Sequence, residues 1–371
     1  MARLLPSGRN GHRLHTSPRG SPLRAPGDEH SGMTDIAAIV SGLGGMAQKQ
    51  QLVARGARDP HLTQAVRRGE VTRARQGWYT TLPPDDPRVQ AVRVGGRLTG
   101  ISAVIAAGGW ALGPFALHVS VPSNAARLRT PLNRFVKLAA RHVPGLELHW
   151  DDDDDVAGRG TAMAVDLRDA LVRVVLDESF ETAVAALDWA LHTGRLDRIA
   201  FELLILRLPE ERRGIREWVD GRCESLPESL ARTRLRILGH TVDIQVRLGD
   251  VERIDLVVDD CVGMETDGRE FHLETFERDR CKDLDITIAR LHPLRPSARM
   301  VFHDWTRVVR AVDAALAARR PARRIGNSGA SATHPVTTPR KPGVRGRRHR
   351  LTPEFPKQSG NTGGRRRLSS G

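Results

Sequence analysis

Residues 253–283 read RIDLVVDDCVGMETDGREFHLETFERDRCKD, and this stretch constrains the fold more than any other. Ile254, Leu256 and Val258 alternate with Asp255 and Val257, the period of a strand with one buried face. A second apolar run, Cys261 to Met264, follows an Asp259-Asp260 turn and ends on Glu265, Thr266, Asp267 and Gly268. Two adjacent strands would carry Asp255 and Glu265 to a common place, with Asp267 one side-chain period beyond. Carboxylates that converge repel one another and lose hydration, so they are stable together only with a cation or a shared proton. Oxygen ligands of this kind suit Mg²⁺, with Mn²⁺ as a substitute, and such an ion holds phosphates for attack by water. His272 adds a group that titrates near neutrality and moves protons. The plainer reading of Asp259 and Asp260 is a solvated turn.

The stretch resembles the Vsr-like (very-short-patch-repair) branch of the PD-(D/E)xK nuclease superfamily, through Arg253-x-Asp255, Glu265-x-Asp267-Gly268, His272 and Asp279-Arg280-x-Lys282-Asp283. The resemblance implies a restriction-endonuclease-like mixed sheet with flanking helices. It also implies a metal held by Asp255, Glu265 and the Thr266 carbonyl, a catalytic set of Asp255, Glu265, Asp267 and His272, and a glutamate from a Ser-x-x-Glu helix, here Glu228. Asp267 would ligate a second metal or orient water. Two departures stand out: Asp267 replaces the first histidine of the Vsr pattern, and it also occupies the place of the superfamily lysine two residues past the glutamate. Glu228 has a competing structural role, because Ser225 with Glu three residues later is a capping box.

The net charge of +14 lies in the ends of the chain: residues 1–32 carry +3 and 319–371 carry +13, which leaves −2 for 33–318. Both ends are rich in Pro, Gly, Ser and Arg without apolar periodicity, and read as disordered basic tails that attract nucleic acid non-specifically. No apolar run is long enough to span a membrane, and the N-terminal tail has no signal-peptide core. The three cysteines, Cys223, Cys261 and Cys281, form no CxxC pair, which points to a reducing cytoplasm.

Residues 33–87 read as a winged helix-turn-helix. Helices are expected over Asp35–Leu43, Ala47–Arg55 and from Asp59 to Gly69, the last with Asp59 as N-cap and Pro60 at the first helical position. The segment VTRARQGWYTT follows as a hairpin with Gly77 in the turn and Arg73 and Arg75 on one face. In this fold the third helix enters the major groove and the wing touches phosphates. Thr63, Gln64, Arg67, Arg68, Arg73 and Arg75 are therefore the expected DNA contacts. The segment resembles the N-terminal domain of AbiEi-type antitoxins through Gly44-Gly45, Arg67-Arg68-Gly69 and Gly77-Trp78-Tyr79. That resemblance implies DNA and a cognate toxin protein as partners, with no membrane involved.

Residues 88–222 read as an α/β linker domain. Helices are expected at Leu98–Ala107, Leu167–Leu176, Glu181–His192 and Arg198–Leu208, and strands at Leu117–Val121 and Leu146–Trp150. The acidic run Asp151–Asp155 reads as a solvated loop. Residues 223–318 form the endonuclease-like domain. Its strand Thr241–Leu248 presents Val242, Ile244 and Val246 on one face, with Gln245 at a family position on the other. A helix over Glu274–Arg290 brings Arg278, Arg280 and Lys282 toward a phosphate backbone. Next comes a strand over Leu291–Pro296, whose two prolines point to an edge position or a weakened strand, and a closing helix, Trp305–Ala318. The fold class is thus multi-domain α/β. Two main functional readings stay open, a DNA-binding protein with a Mg-dependent endonuclease domain, linked to phage defence, toxin–antitoxin control or DNA repair, and a non-catalytic AbiEi-like antitoxin and repressor with an inactive nuclease-like domain; a third is a protein-interaction module unrelated to nucleic acid.

Overall fold

A computed structural model describes residues 35–139, 143–151, 159–248, 252–266 and 276–319. They form a multi-domain α/β protein with three separate sheets, two of three strands and one of four. No helix among the described residues is long and apolar enough to cross a membrane.

The first unit runs α1 (Ile36–Gly42), β1 (Met46–Gln48), α2 (Lys49–Val53), α3 (Asp59–Arg67), β2 (Thr72–Arg75) and β3 (Trp78–Thr80). The Asp35 carboxylate accepts the Ala38 N–H at 2.9 Å and so starts α1. The helix expected over Ala47–Arg55 begins only at Lys49, because Met46–Gln48 pairs antiparallel with β3. Gly44 and Gly45, at φ +86° and +87°, make the reversal that lets a strand follow so closely on a helix. A Cβ on Gly45 would also stand 2.6 Å from the Leu82 side chain. Arg58 rather than Asp59 occupies the cap position of α3, and Asp59 pairs with Lys49 at 2.7 Å. The sheet order β1-β3-β2, backed by three helices, is the winged-helix arrangement. Ile36, Val40, Leu52, Leu62, Ala65 and Tyr79 form its core.

The middle unit opens with α4 (Pro87–Val94), a helix outside every expected element, followed by β4 (Arg97–Leu98), α5 (Gly100–Ala106), β5 (Leu117–Pro122) and β6 (Leu146–Asp151). Three helices come next, α6 (Leu167–Asp177), α7 (Phe180–His192) and α8 (Arg198–Arg207), close to their expected spans, and then a 3-10 stretch at Glu210–Glu217. β5 is central, antiparallel to β4 and parallel to β6. Val119 and Val121 of β5 join Leu98, Ile101, Leu171 and Phe201 in one core. Alternation therefore sends His118 and Ser120 to the opposite face, where they too are buried. Of the acidic run, only Asp151 lies within the described residues.

The last unit runs α9 (Leu226–Ile237), β7 (Val242–Leu248), β8 (Glu252–Val258), β9 (Val262–Met264), α10 (Phe276–Ile288), β10 (His292–Leu294), α11 (Ala298–His303) and α12 (Trp305–Arg319). Its mixed sheet has the order β10-β9-β8-β7, with β10 parallel to β9 and the other pairs antiparallel. β10 lies at the edge, where Pro293 costs no ladder bond. Asp259 is more than a solvated turn residue. Its carboxylate accepts the Thr241 N–H and O–H, both at 2.8 Å, and lies 2.8 Å from His240 Nδ1, tying the turn to the start of β7.

Strand alternation fails at the centre of β7 and β8. Gln245 has φ +51°, a left-handed backbone inside a strand. Val246 then packs with Ile254, Val257 and Ile286, whereas Ile244, Leu256 and Val258 belong to the opposite core. The expected single faces, Val242-Ile244-Val246 and Ile254-Leu256-Val258, are thus both split at the level of Gln245 and Asp255.

The middle and last units are fastened through α7 and α9. Asp188, fully buried, accepts from Ser229 Oγ at 2.6 Å, Arg232 Nη2 at 2.9 Å and the Asp220 N–H at 2.7 Å. Glu181 and Arg234 add an ion pair at 2.6 Å beside it. Removing one member of such a buried pair leaves the other charge without its counter-charge, which costs several kcal/mol.

Candidate functional site

Glu228 sits in the first turn of α9, and its side chain is held by the residues that open that helix. Oε1 accepts the Ser225 hydroxyl at 2.7 Å, and Oε2 accepts the Glu224 N–H at 2.9 Å. Gln245 Nε2 reaches Oε2 from the sheet at 3.2 Å, a reach set up by its left-handed backbone. The same carboxyl faces the acidic centre: burial first, and then the charge of Asp255, push its pKa up to about 6.

β8 and β9 bring Asp255 and Glu265 side by side, because Leu256 pairs with Met264, next to each in the chain. The Asp255 N–H donates to Glu265 Oε1 at 3.2 Å. Asp255 Oδ2 accepts the Thr266 N–H at 2.9 Å and lies 3.4 Å from its hydroxyl. Thr266 therefore holds Asp255 in place through its N–H and side chain, a role not expected for it. Burial raises the pKa of Asp255 against these bonds and against the Lys282 charge. Glu265 is pushed up to about 7, by burial and then by Asp255, with Lys282 opposing.

Lys282, expected to face a phosphate backbone, meets the acidic pair instead. It projects from α10 and puts Nζ 2.5 Å from Glu265 Oε2, with its side chain 17% exposed. It is paired within the acidic centre and largely covered. The lysine missing two residues after Glu265 thus has a counterpart on a helix. Arg280, two residues before it, is exposed. Asp267 and His272 lie outside the described residues, as does the first part of the helix expected from Glu274.

In the first unit Gln64, Arg67 and Arg68 are exposed on α3, and Thr63 is half-buried. Arg68 lies 3.6 Å from Glu70. Arg73 is exposed, its guanidinium 5.6 Å from the Tyr79 ring centre. Arg75 does not share its face, because a register shift separates the two arginines in the β2–β3 ladder. The Arg75 guanidinium turns inward and donates to the Arg93 and Val94 carbonyls at 3.0 and 2.8 Å, capping the end of α4. A Cβ on Gly95 would lie 2.4 Å from it. Arg75, expected among the DNA contacts, thus spends its guanidinium on the end of α4.

A second polar cluster, unmarked in the sequence, lies in the middle unit. His118 of β5, His149 of β6 and Asp177 at the end of α6 each bring one ligand atom within 4.8 Å of the others, and this group could hold a metal ion. Among the described residues it alone meets that spacing, which Glu228, Asp255 and Glu265 do not. Burial, and then Arg173, hold the two imidazoles well below their usual range, to about 4 for His118 and about 3 for His149. No signal in the sequence joins two histidines in separate strands to an aspartate beyond them. No family model matches the chain, and no curated protein matches it.

Proposed function

We propose that this chain is a DNA-binding protein whose last unit hydrolyses phosphodiester bonds with a divalent metal. The observation that carries the reading is the convergence of Glu228, Asp255, Glu265 and Lys282, three carboxylates and one ammonium from two helices and the sheet between them. Glu228 and Glu265 are each only 6% exposed. Two buried acids and the half-buried Asp255 against one lysine leave negative charge in excess, and their oxygens are the hard donors that Mg²⁺ prefers. Glu228, Asp255 and Glu265 would hold the ion. When bound, it would polarise a phosphate and acidify a water.

The chain's own residues supply the rest. Ser225 and Gln245 fix the direction of Glu228, and Thr266 fixes Asp255. The Lys282 ammonium would orient the attacking water and balance charge that develops on the phosphate. Gln64, Arg67, Arg68 and Arg73 of the winged helix would hold the duplex, and Arg280 would meet its backbone beside the acidic centre. Defence against phage, control of a toxin, or DNA repair are the settings that such a combination serves.

One observation favours the second reading. Lys282 already neutralises Glu265, and the three carboxylates stand wider apart than a bound ion requires. A closed centre of this kind suits an antitoxin-like repressor that grips DNA or a toxin without cutting. Thermal unfolding with and without Mg²⁺ or Mn²⁺ separates the two. The enzyme reading expects about 2.7 kcal/mol of stabilisation at a hundredfold excess over Kd. Asp255→Asn should remove that response. A wild-type protein indifferent to both ions supports the repressor.

A further inference from the structure

We propose that His118, His149 and Asp177 form a zinc-binding site that pins the middle sheet to α6, independent of the acidic centre and of any nuclease activity. The argument begins with the parallel pairing of β5 and β6. His118 stands opposite Glu147, and Ser120 opposite His149, so both imidazoles lie on one face, one side-chain period apart. That face meets the C-terminal half of α6, which supplies Arg173, Asp177 and, at its C-cap, Glu178.

The spacing is that of ligands and not only of neighbours. His118 Nδ1 and His149 Nε2 are 3.2 Å apart, and their ring centres are 5.1 Å apart. A tetrahedral zinc with bonds of about 2.0–2.1 Å holds two ligand nitrogens roughly 3.3 Å apart. Asp177 Oδ2 lies 3.8 Å from His149 Nε2, on the same side of the pair. Glu178 Oε1 is 3.4 Å from the far nitrogen of His118, Nε2. Donation of Nε2–H to this carboxylate leaves the lone pair on Nδ1, the carboxylate–histidine–metal relay of protein zinc sites. Room at Nδ1 depends on Gly100, which has φ +51° and whose added Cβ would lie 3.0 Å from that atom.

Two imidazoles and one carboxylate select a borderline ion such as Zn²⁺ over Mg²⁺, and they leave a fourth tetrahedral position for water. A ring-to-ring hydrogen bond between the histidines would account for the nitrogen distance alone. It would not account for the third oxygen, for the carboxylate behind His118, or for the glycine in front of it.

The test uses the full chain without a polyhistidine tag, stripped with chelator and titrated with Zn²⁺ against a competing dye. One zinc per chain is expected, with a rise in Tm that the same concentration of Mg²⁺ does not give. Co²⁺ should show the visible absorption of a tetrahedral complex. Asp177, the most exposed of the three at 28%, tolerates change, so Asp177→Asn should fold in chelator and lose at least about tenfold in zinc affinity. Glu178→Gln should keep the stoichiometry and lose about 10–100-fold in affinity. Asp255→Asn should bind zinc as the wild type does. A wild-type chain that takes up no zinc, or one whose affinity survives Asp177→Asn and His149→Gln, overturns the proposal. The histidines are then only a hydrogen-bonded pair.

Discussion

The carboxyl of Glu265 sets the pH behaviour of the acidic centre. With its pKa raised from 4.5 to about 7, the folded protein holds a proton there that the unfolded chain has already released. Stability without metal should therefore fall as pH rises from about 4.5 to about 7, since the native state binds the extra proton in that window. A divalent ion must displace the same proton below pH 7 and none well above it. Mg²⁺ or Mn²⁺ affinity at this site should thus rise about tenfold per pH unit between about 6 and about 7, more steeply below about 6 where Glu228 is protonated too, and then level off. Titrations at three pH values with Asp255→Asn as the blank measure this, and a flat profile would contradict the shifted carboxyl. The pairing of Asp255 with Glu265 was legible in the sequence because two adjacent short apolar runs joined by a short turn bring the two positions together. Lys282 was not, because nothing in the spacing says how α10 is rotated against the sheet.

At the scale of elements, the winged helix shows where local pattern works and where it stops. Pro60 and the flanking glycines marked α1 and α3, although the expected cap of α3 fell one residue late, but β1 has only three residues and no alternation to announce it. The same limit misplaced Arg75. Strict alternation through β2 would put it beside Arg73, and the register shift between them turns it inward instead. The two kinds of arginine should behave differently when replaced. Arg67→Ala with Arg68→Ala should weaken DNA binding, with little change in Tm. The log–log salt dependence should flatten by about one unit for each phosphate that is no longer neutralised. Arg75→Ala should lower Tm by removing the cap on α4. A drop in DNA affinity in the Arg75 variant at unchanged stability would contradict its assignment as a cap. Gln245 belongs at this scale too: a period-2 reading cannot show the left-handed residue that splits both strand faces and delivers an amide to Glu228.

The whole molecule combines a winged-helix first unit, a middle unit with its own histidine cluster, and a mixed sheet fastened to the middle unit through Asp188 and Arg232. The α/β class and the order of most elements follow from periodicity and caps. The juxtapositions on which the two proposals rest join residues far apart in the chain, Glu228 with Asp255 and His118 with Asp177, and only the packing of elements brings them together. On the proposed reading, cutting of DNA depends on the first of these meetings. The direct measurement is nicking of supercoiled plasmid in Mn²⁺ or Mg²⁺ by wild type and by Lys282→Met, with metal binding followed in parallel. If the acidic centre with its helix-borne lysine is catalytic, wild type nicks in a metal-dependent way, and Lys282→Met falls at least about a hundredfold in rate while still binding the ion. Nicking that survives Lys282→Met, or a wild type that binds DNA and leaves it intact with either ion, would contradict it.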